Sequence, residues 1–219
     1  MDIYNLLPQF IGDKILNVAL RLNYSEPNIL ILKGDESSLR ERYPDVYKNL
    51  LSCNHHKDSR TFLEYGQNLV ASWIFEDYLI ETLSNNGINV IHAGADKKRE
   101  ILPGIKVSSS SDSSVTYGGK TRLLEIMTDY TGYWNRTLKI DLRDCKYEKM
   151  RDSESLFLGI SIKDRKYVLI DFKEKIEATY ISCHYAYKKP AYQISISPQM
   201  LKPYDPGAVA GEIQGLLNK

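Results

Sequence analysis

The chain has 219 residues, of which 42% are hydrophobic and 26% charged, and this is the composition of an ordinary globular protein. Its formal net charge of +1 gives no global sign of nucleic-acid binding. The longest apolar runs are too short to cross a bilayer, and the N-terminal stretch lacks the features of a secretory signal. We therefore expect a cytoplasmic location and no membrane contact.

The first third of the sequence predicts two helices and one strand. Apolar residues at helical spacing predict a helix over 10–22, and the run NILILKG predicts a short buried strand over 28–34. Residues 34–64 are polar, and they predict a loop with a short helix around 46–51.

The middle of the sequence begins with its strongest helix signal, over 67–84, and Gly87 is a natural stop for that helix. Three strands are predicted after it, at 88–94, within 106–118 and at 121–130. Gly118 and Gly119 predict a tight turn between the second strand and the third.

A loop then leads to a predicted helix over 141–150, whose composition suits a polar face. Strands follow, at 155–162, 167–173 and 191–198, and a last helix is predicted after Pro206. This order predicts an α/β (α+β) fold in which a mixed central sheet is flanked by helices.

Glu76 is the first carboxylate at a predicted buried position. It lies on the apolar stripe of the 67–84 helix that is formed by Leu69, Trp73, Ile80 and Leu83. A carboxylate on such a stripe needs a partner, a hydrogen bond or a metal ion. The alternative is a side chain at the edge of the stripe that reaches water or an arginine, and the neighbouring Asp77 is expected to point into solvent.

Glu125 is the second such carboxylate, in a strand that is apolar on both faces. The Gly118-Gly119 turn allows Asp112 to lie beside it, and converging carboxylates form a site for a hard cation such as Mg²⁺. For Glu125 the alternative is a salt bridge with a nearby lysine or arginine. For Asp112 the alternative is a loop residue among serines.

Over about residues 67–173, these residues and this element order resemble those of the PD-(D/E)XK nuclease superfamily. The resemblance implies a restriction-endonuclease-like core with the element order αβββαβ. The resemblance implies Asp112 and Glu125 as metal ligands, with Glu76 as the acidic residue of the preceding helix. The family lysine, two positions after the glutamate, is replaced by Met127. Lys146 is the first candidate to supply the missing amine and Lys139 the second, although each has a simpler interpretation as a solvated charge.

The resemblance implies a metal-dependent DNA endonuclease that uses Mg²⁺, with Mn²⁺ as a substitute. We expect a type II restriction-type enzyme that cuts double-stranded DNA at a specific sequence as a homodimer. One alternative is a Holliday-junction-resolvase-like or viral, structure-specific nuclease. Another is a non-catalytic nucleic-acid-binding protein with a degenerate nuclease core. No P-loop or dinucleotide-binding motif is present.

We expect one domain over 1–219, in which the core is preceded by a helical and loop region, 1–66, and followed by a β-rich extension, 174–219. Within the extension, HYAYKKPAY at 184–192 is a candidate to read DNA bases, or else an edge strand protected by lysines and a proline. The basic segment GADKKRE at 94–100 is expected to lie near a DNA backbone.

Overall fold

A computed structural model of the chain describes residues 3–53, 60–93, 98–102, 113–186 and 188–219. The described residues form two compact units. Residues 3–53, 60–79 and 98–102 belong to the first unit, and the remaining described residues belong to the second. Within these ranges no helix has the length and apolar character needed to span a membrane.

The first unit is helical. Its helices are α1 (Ile3–Ile11), α2 (Ile15–Arg21), α3 (Glu26–Lys33), α4 (Glu36–Arg42), α5 (Pro44–Ser52) and the first part of α6 (Phe62–Asn85). The helix predicted over 10–22 is confirmed only over 15–21, as α2, because the chain turns at Gly12, where φ is +82°, and begins a new helix. The short helix predicted around 46–51 is confirmed as α5.

The strand predicted over 28–34 is also wrong, since these residues lie in α3. Pro27 stands in the first turn of this helix, and Gly34 ends it in the left-handed conformation with φ +72°. Residues 28–32 are all buried. A short run that is buried on every side lacks the periodicity by which a strand is distinguished from a helix.

The long helix predicted over 67–84 is confirmed as α6 and starts five residues earlier, at Phe62. A capping box stabilises its start: Thr61 N–H donates to Glu64 Oε2 at 2.7 Å, and Glu64 N–H donates to Thr61 Oγ1 at 3.2 Å. Gly87, with φ +84°, follows its last residues as predicted.

The second unit is built on a six-stranded mixed sheet. The strands of the unit are β1 (Asn89–His92), β2 (Ser113–Tyr117), β3 (Lys120–Asp129), β4 (Lys139–Arg143), β5 (Leu156–Ser161), β6 (Lys166–Asp171), β7 (Ala178–Ile181), β8 (Ala191–Ser195) and β9 (Lys202–Pro203). The main sheet has the order β1-β2-β3-β5-β6-β9, in which β3 and β5 are parallel and the other neighbours antiparallel.

The unit also contains the helices α7 (Tyr133–Thr137), α8 (Asp144–Asp152) and α9 (Pro206–Asn218). The chain therefore runs α6, β1, β2, β3, α8, β5 through the main sheet, so the predicted αβββαβ order and fold class are confirmed. The β2–β3 turn lies at Gly118 and Gly119, both of which have positive φ.

Two local predictions between β3 and β5 need correction. The predicted loop contains the short helix α7, and the helix predicted over 141–150 is two elements, β4 and α8. The strand forms because Ile140 and Leu142 point inward together, at a spacing of two residues. It pairs with β8, and β8 pairs with β7, to give a second sheet of order β4-β8-β7.

An apolar cluster fills the space between the two sheets, and we call it the inter-sheet cluster. Its buried members are Trp134, Ile140, Leu142, Tyr147, Met150, Phe157, Val168, Ile170, Phe172, Ile194, Ile196 and Leu201. The predicted last helix, α9, packs against β2, β3 and β6 from the opposite face of the main sheet. Tyr167 Oη of β6 donates to Glu212 of α9 at 2.6 Å on that face.

Candidate active site

Glu125 is a buried carboxylate in the centre of the main sheet. It lies on β3 opposite Phe157 of the parallel strand β5, so both side chains point towards the inter-sheet cluster. Only 1% of the residue is exposed. A charged group at such a position is costly unless it is paired.

Lys146 supplies the partner. Its Nζ forms an ion pair with Glu125 Oε1. The side chain of Lys146 is 33% exposed, whereas that of Glu125 is 2% exposed. The ammonium group therefore contacts a buried carboxylate on one side and lies near solvent on the other. Lys146 is the residue that the sequence analysis gave as the first candidate for the missing lysine.

Helix α8 fixes the position of Lys146. The next residue, Tyr147, and Met150 one turn later are both buried in the inter-sheet cluster. At its start, Asp144 N–H donates to the carbonyl of Pro190 at 3.2 Å. Because the helix is held at its buried side and at its N-terminal end, the lysine at the flank is directed to Glu125.

Met127 occupies the next position on the same face of β3 and is opposite Gly159 of β5. It packs against the inter-sheet cluster. The space over Gly159 is filled, because a Cβ there would lie 2.8 Å from Trp134 Cζ3 and 2.8 Å from Val168 Cγ1. Met127 is partly buried there, and its apolar packing suits a thioether.

The structure describes no contact of Glu125 with the other two predicted site residues of the second unit, Lys139 and Asp112. Lys139 is exposed at the start of β4 and has no ion-pair partner among the described residues. Asp112 lies outside the described residues. The last described pair of β2 and β3 joins Ser113 to Leu124, the residues that follow Asp112 and precede Glu125.

Glu76 belongs to the first unit, where Arg99 Nη2 lies 2.5 Å from its Oε2. The most buried positions of α6 in this region are Val70, Ala71 and Ile74, which lie beside the predicted stripe and not on it. Glu76 is therefore at the edge of the buried face and reaches an arginine, which was the alternative that the sequence left open.

Asp77 was expected to be solvated, and this prediction is wrong. It accepts from Arg99 Nη2 at 2.5 Å and also from the hydroxyl of Tyr24. Burial and the Asp77 carboxylate raise the pKa of Tyr24. Burial lowers the pKa of Arg99, but hydrogen bonds and charges of Asp77 and Glu76 raise it more. Arg99 is thus paired with two carboxylates of the first unit. Residues 94–97 of the basic segment 94–100 lie outside the described residues, and the place of this segment near a DNA backbone stays a prediction.

Two further buried carboxylates of the second unit were missed by sequence reasoning. Asp129, at the end of β3, accepts from Thr131 N–H and Oγ1 at 2.8 Å and from Trp134 N–H at 3.1 Å. It anchors the turn into α7. The residue type was a sequence signal for this turn, because an aspartate commonly accepts from the backbone N–H two residues later in an Asx turn.

Asp141 of β4 is the second. His184 Nε2 lies 3.2 Å from its Oδ2, and Gln193 Nε2 donates to its Oδ1 at 2.9 Å. His184 is buried, and its Nδ1 accepts from Ala186 N–H at 3.3 Å. Both ring nitrogens thus have a protein neighbour, so the pair fixes the connection between β7 and β8.

No protein-family model and no curated protein matches the chain. Among solved structures, the chain is similar to Hjc, a Holliday junction resolvase from the archaeal hyperthermophile Archaeoglobus fulgidus. The two sequences are 18% identical, the TM-score is 0.39, and the match covers 63% of this chain and 98% of the resolvase. A likeness as loose as this assigns no activity, so the functional interpretation depends on the residues themselves.

Proposed function

We propose that the chain is a metal-dependent DNA endonuclease in which Glu125 and Lys146 form the catalytic pair. The observation that carries the proposal is the ion pair between a 1%-exposed carboxylate on the central strand and a partly exposed lysine. A carboxylate that can hold a metal ion and an amine that can stabilise charge on a phosphate are two of the groups that metal-dependent phosphodiester hydrolysis uses. The amine comes from α8, while the corresponding position of β3 holds Met127, which packs against the inter-sheet cluster.

The carboxylate oxygens of Glu125 are ligands of the type that Mg²⁺ prefers, and Mn²⁺ accepts the same ligands. We propose Asp112 as a second ligand on sequence grounds. The bound ion would supply an activated water and polarise the scissile phosphate. Lys146 would then orient the water and stabilise the negative charge that develops on the phosphate oxygens. Its partial exposure supports this role, since a substrate can approach the ammonium from solvent.

The remaining predicted site residues take a smaller part in the proposal. The ion pair of Glu76 with Arg99 favours a structural role, so its assistance to the metal remains a prediction. Lys139 remains the second choice for the amine.

The substrate class that we propose is DNA that is mainly double-stranded. A restriction-type cut at a specific sequence by a homodimer remains the first prediction. A structure-specific nuclease, of the junction-resolving kind, is the second, and the exposed tyrosines of the β7–β8 hairpin favour it.

The proposal is tested with Glu125→Gln, Asp112→Asn and the matched control Glu148→Gln, an exposed position of α8. Labelled linear duplex, branched DNA and supercoiled plasmid are incubated with Mg²⁺, Mn²⁺ or EDTA. We expect metal-dependent cleavage by the wild type and the control, and a loss of about 100-fold or more in the two site variants. If no DNA is cleaved with either metal, or if Glu125→Gln cleaves as fast as Glu148→Gln, the endonuclease proposal fails.

A further inference from the structure

The hairpin formed by β7, β8 and their connection, residues 178–195, has an unusual charge pattern. From Ala178 to Ser195 the sequence contains no aspartate or glutamate, although the chain has 28 of them in 219 residues. The same stretch contains four tyrosines and two lysines. Its net positive charge and aromatic content suit a polyanion that also offers flat rings.

The two lysines of the hairpin can contact a ligand from solvent. Lys188 and Lys189 are exposed, and within the described ranges neither ammonium group has an ion-pair partner. The surface is also rich in accessible rings: Tyr180 is 54% exposed and Tyr185 is 69% exposed. An aromatic ring that is this exposed can stack on a flat ring of a ligand.

Backbone hydrogen bonds cross the described part of the connection between the two strands. His184 N–H donates to the carbonyl of Lys189 at 2.9 Å, and Lys188 N–H donates to the carbonyl of His184 at 2.8 Å. The buried contact of His184 with Asp141 then fixes the connection to β4. The exposed lysines and Tyr185 are therefore presented on a preorganised scaffold, which lowers the entropic cost of binding.

Contacts between three tyrosine rings connect the hairpin to the helix that carries Lys146. Tyr147, the residue after Lys146, stacks on Tyr192 with ring centroids 4.1 Å apart and an interplanar angle of 19°. Tyr192 contacts Tyr180 edge to face, with centroids 5.3 Å apart. The contacts begin in the helix that carries Lys146 and end at the exposed ring of Tyr180.

We propose that the hairpin binds an unpaired strand of the DNA substrate. Tyr180 and Tyr185 stack with exposed bases, and Lys188 and Lys189 contact the phosphates. The inference deepens the proposed endonuclease function and rests on it, and it selects DNA with an unpaired segment as the substrate class. The bases of an intact duplex are stacked on each other and do not present their faces to a tyrosine, whereas unpaired bases do.

Fluorescence anisotropy in EDTA, where no cleavage occurs, measures the binding of two probes: a short fluorescein-labelled oligothymidylate and a blunt duplex of the same length. The variants are Tyr180→Ala, Tyr185→Ala and the double variant Lys188→Ala/Lys189→Ala. Tyr180→Phe retains the ring, and Lys48→Ala is a control for an exposed lysine in the first unit.

We expect each tyrosine-to-alanine variant to bind oligothymidylate about fivefold or more weakly, with a smaller change for the duplex. Tyr180→Phe and Lys48→Ala should bind like the wild type. The double lysine variant should reduce the slope of log affinity against log salt by about 1.4, since each phosphate contact with a single strand contributes about 0.7. Equal losses for both probes, or no loss for either, would overturn the proposal.

Stronger displacement of oligothymidylate by oligoglutamate than by unlabelled DNA would also overturn it, in favour of an acidic protein partner. Failure here and failure of the endonuclease proposal are distinguishable. If cleavage requires Glu125 but the tyrosine variants bind DNA like the wild type, only the proposal for the hairpin is refuted. The predicted binding pattern without cleavage refutes only the catalytic assignment.

Discussion

Replacement of Lys146 by methionine should destabilise the second unit, because it leaves the Glu125 carboxylate buried without its cation. Loss of one partner of a buried ion pair costs about 3–5 kcal/mol. Lys146 is one-third exposed, so water partly replaces it, and we expect a loss near the lower end, about 3 kcal/mol. Lys149→Met, the same change in the same helix, should alter stability by no more than about 0.5 kcal/mol.

Replacement of Glu125 should cost less unfolding free energy than replacement of Lys146. In Glu125→Gln the lysine is free to turn its ammonium into solvent, and the amide costs about 1 kcal/mol. The double variant Glu125→Gln/Lys146→Met should cost about 2 kcal/mol instead of the additive value of about 4 kcal/mol, which corresponds to a coupling energy of about 2 kcal/mol.

Urea unfolding measures these differences through the fluorescence of two tryptophans, one in each unit: Trp73 in the first and Trp134 in the second. Circular dichroism gives a second probe of the same transition. If Lys146→Met is as stable as Lys149→Met, or if the double variant adds the two losses without recovery, the ion pair does not hold Glu125 and the reasoning is refuted.

Three further predictions concern packing, pH and the first unit. Gly159→Ala should lose about 1–3 kcal/mol of unfolding free energy, because the new Cβ meets side chains at 2.8 Å, while Gly211→Ala, in open space, should be neutral or stabilising in the same urea assay. Burial raises the pKa of Asp171, but the hydrogen bonds from Arg122 and from Lys173 N–H, together with the charges of these two residues, lower it more. The stabilisation of the fold by ionised Asp171 is therefore complete above the unfolded pKa of about 3.9 and is lost as the pH falls through the lower folded pKa. Asp171→Asn should therefore make the loss of unfolding free energy below about pH 4 less steep. Acid titration followed by circular dichroism measures this loss. A dependence as steep as that of the wild type would contradict this. Arg99→Met leaves two carboxylates together and should cost about 3 kcal/mol or more; a melting temperature equal to that of the wild type would show that Arg99 does not hold them.

The elements that the sequence predicted well are those with a strong local pattern. Helix α6 has a long apolar periodicity with a capping box, and β2 and β3 are separated by two glycines that permit positive φ. Strands β5 and β6 are short apolar runs with a turn between them. These elements sufficed to predict the αβββαβ order of the second unit.

Predictions failed where a short segment is buried on every side or has mixed patterns. Helix α3 carries an apolar run that lacks amphipathic periodicity, and the adjacent β4 and α8 follow each other without a glycine or proline between them. In such segments the tertiary surroundings decide the conformation.

The site was predictable in part for the same reason. The inward direction of Glu125 follows from strand alternation, and Lys146 was a candidate because its helix follows the strand. The pairing of Asp77 with Arg99 joins residues 22 positions apart through tertiary contacts, so no local pattern indicates it. Met127 packs against the inter-sheet cluster, a tertiary contact that no local pattern of the sequence indicates.

The most direct test of the central claim is the rate of Mg²⁺-dependent DNA cleavage by Lys146→Met and by Lys149→Met. Both rates are measured at a temperature at which the two variants are folded, as judged by circular dichroism. If Lys146 stabilises the charge that develops on the phosphate, its replacement lowers the single-turnover rate by about 100-fold or more, and the control retains the wild-type rate. Equal rates for the two variants would contradict a catalytic role for the Glu125–Lys146 pair.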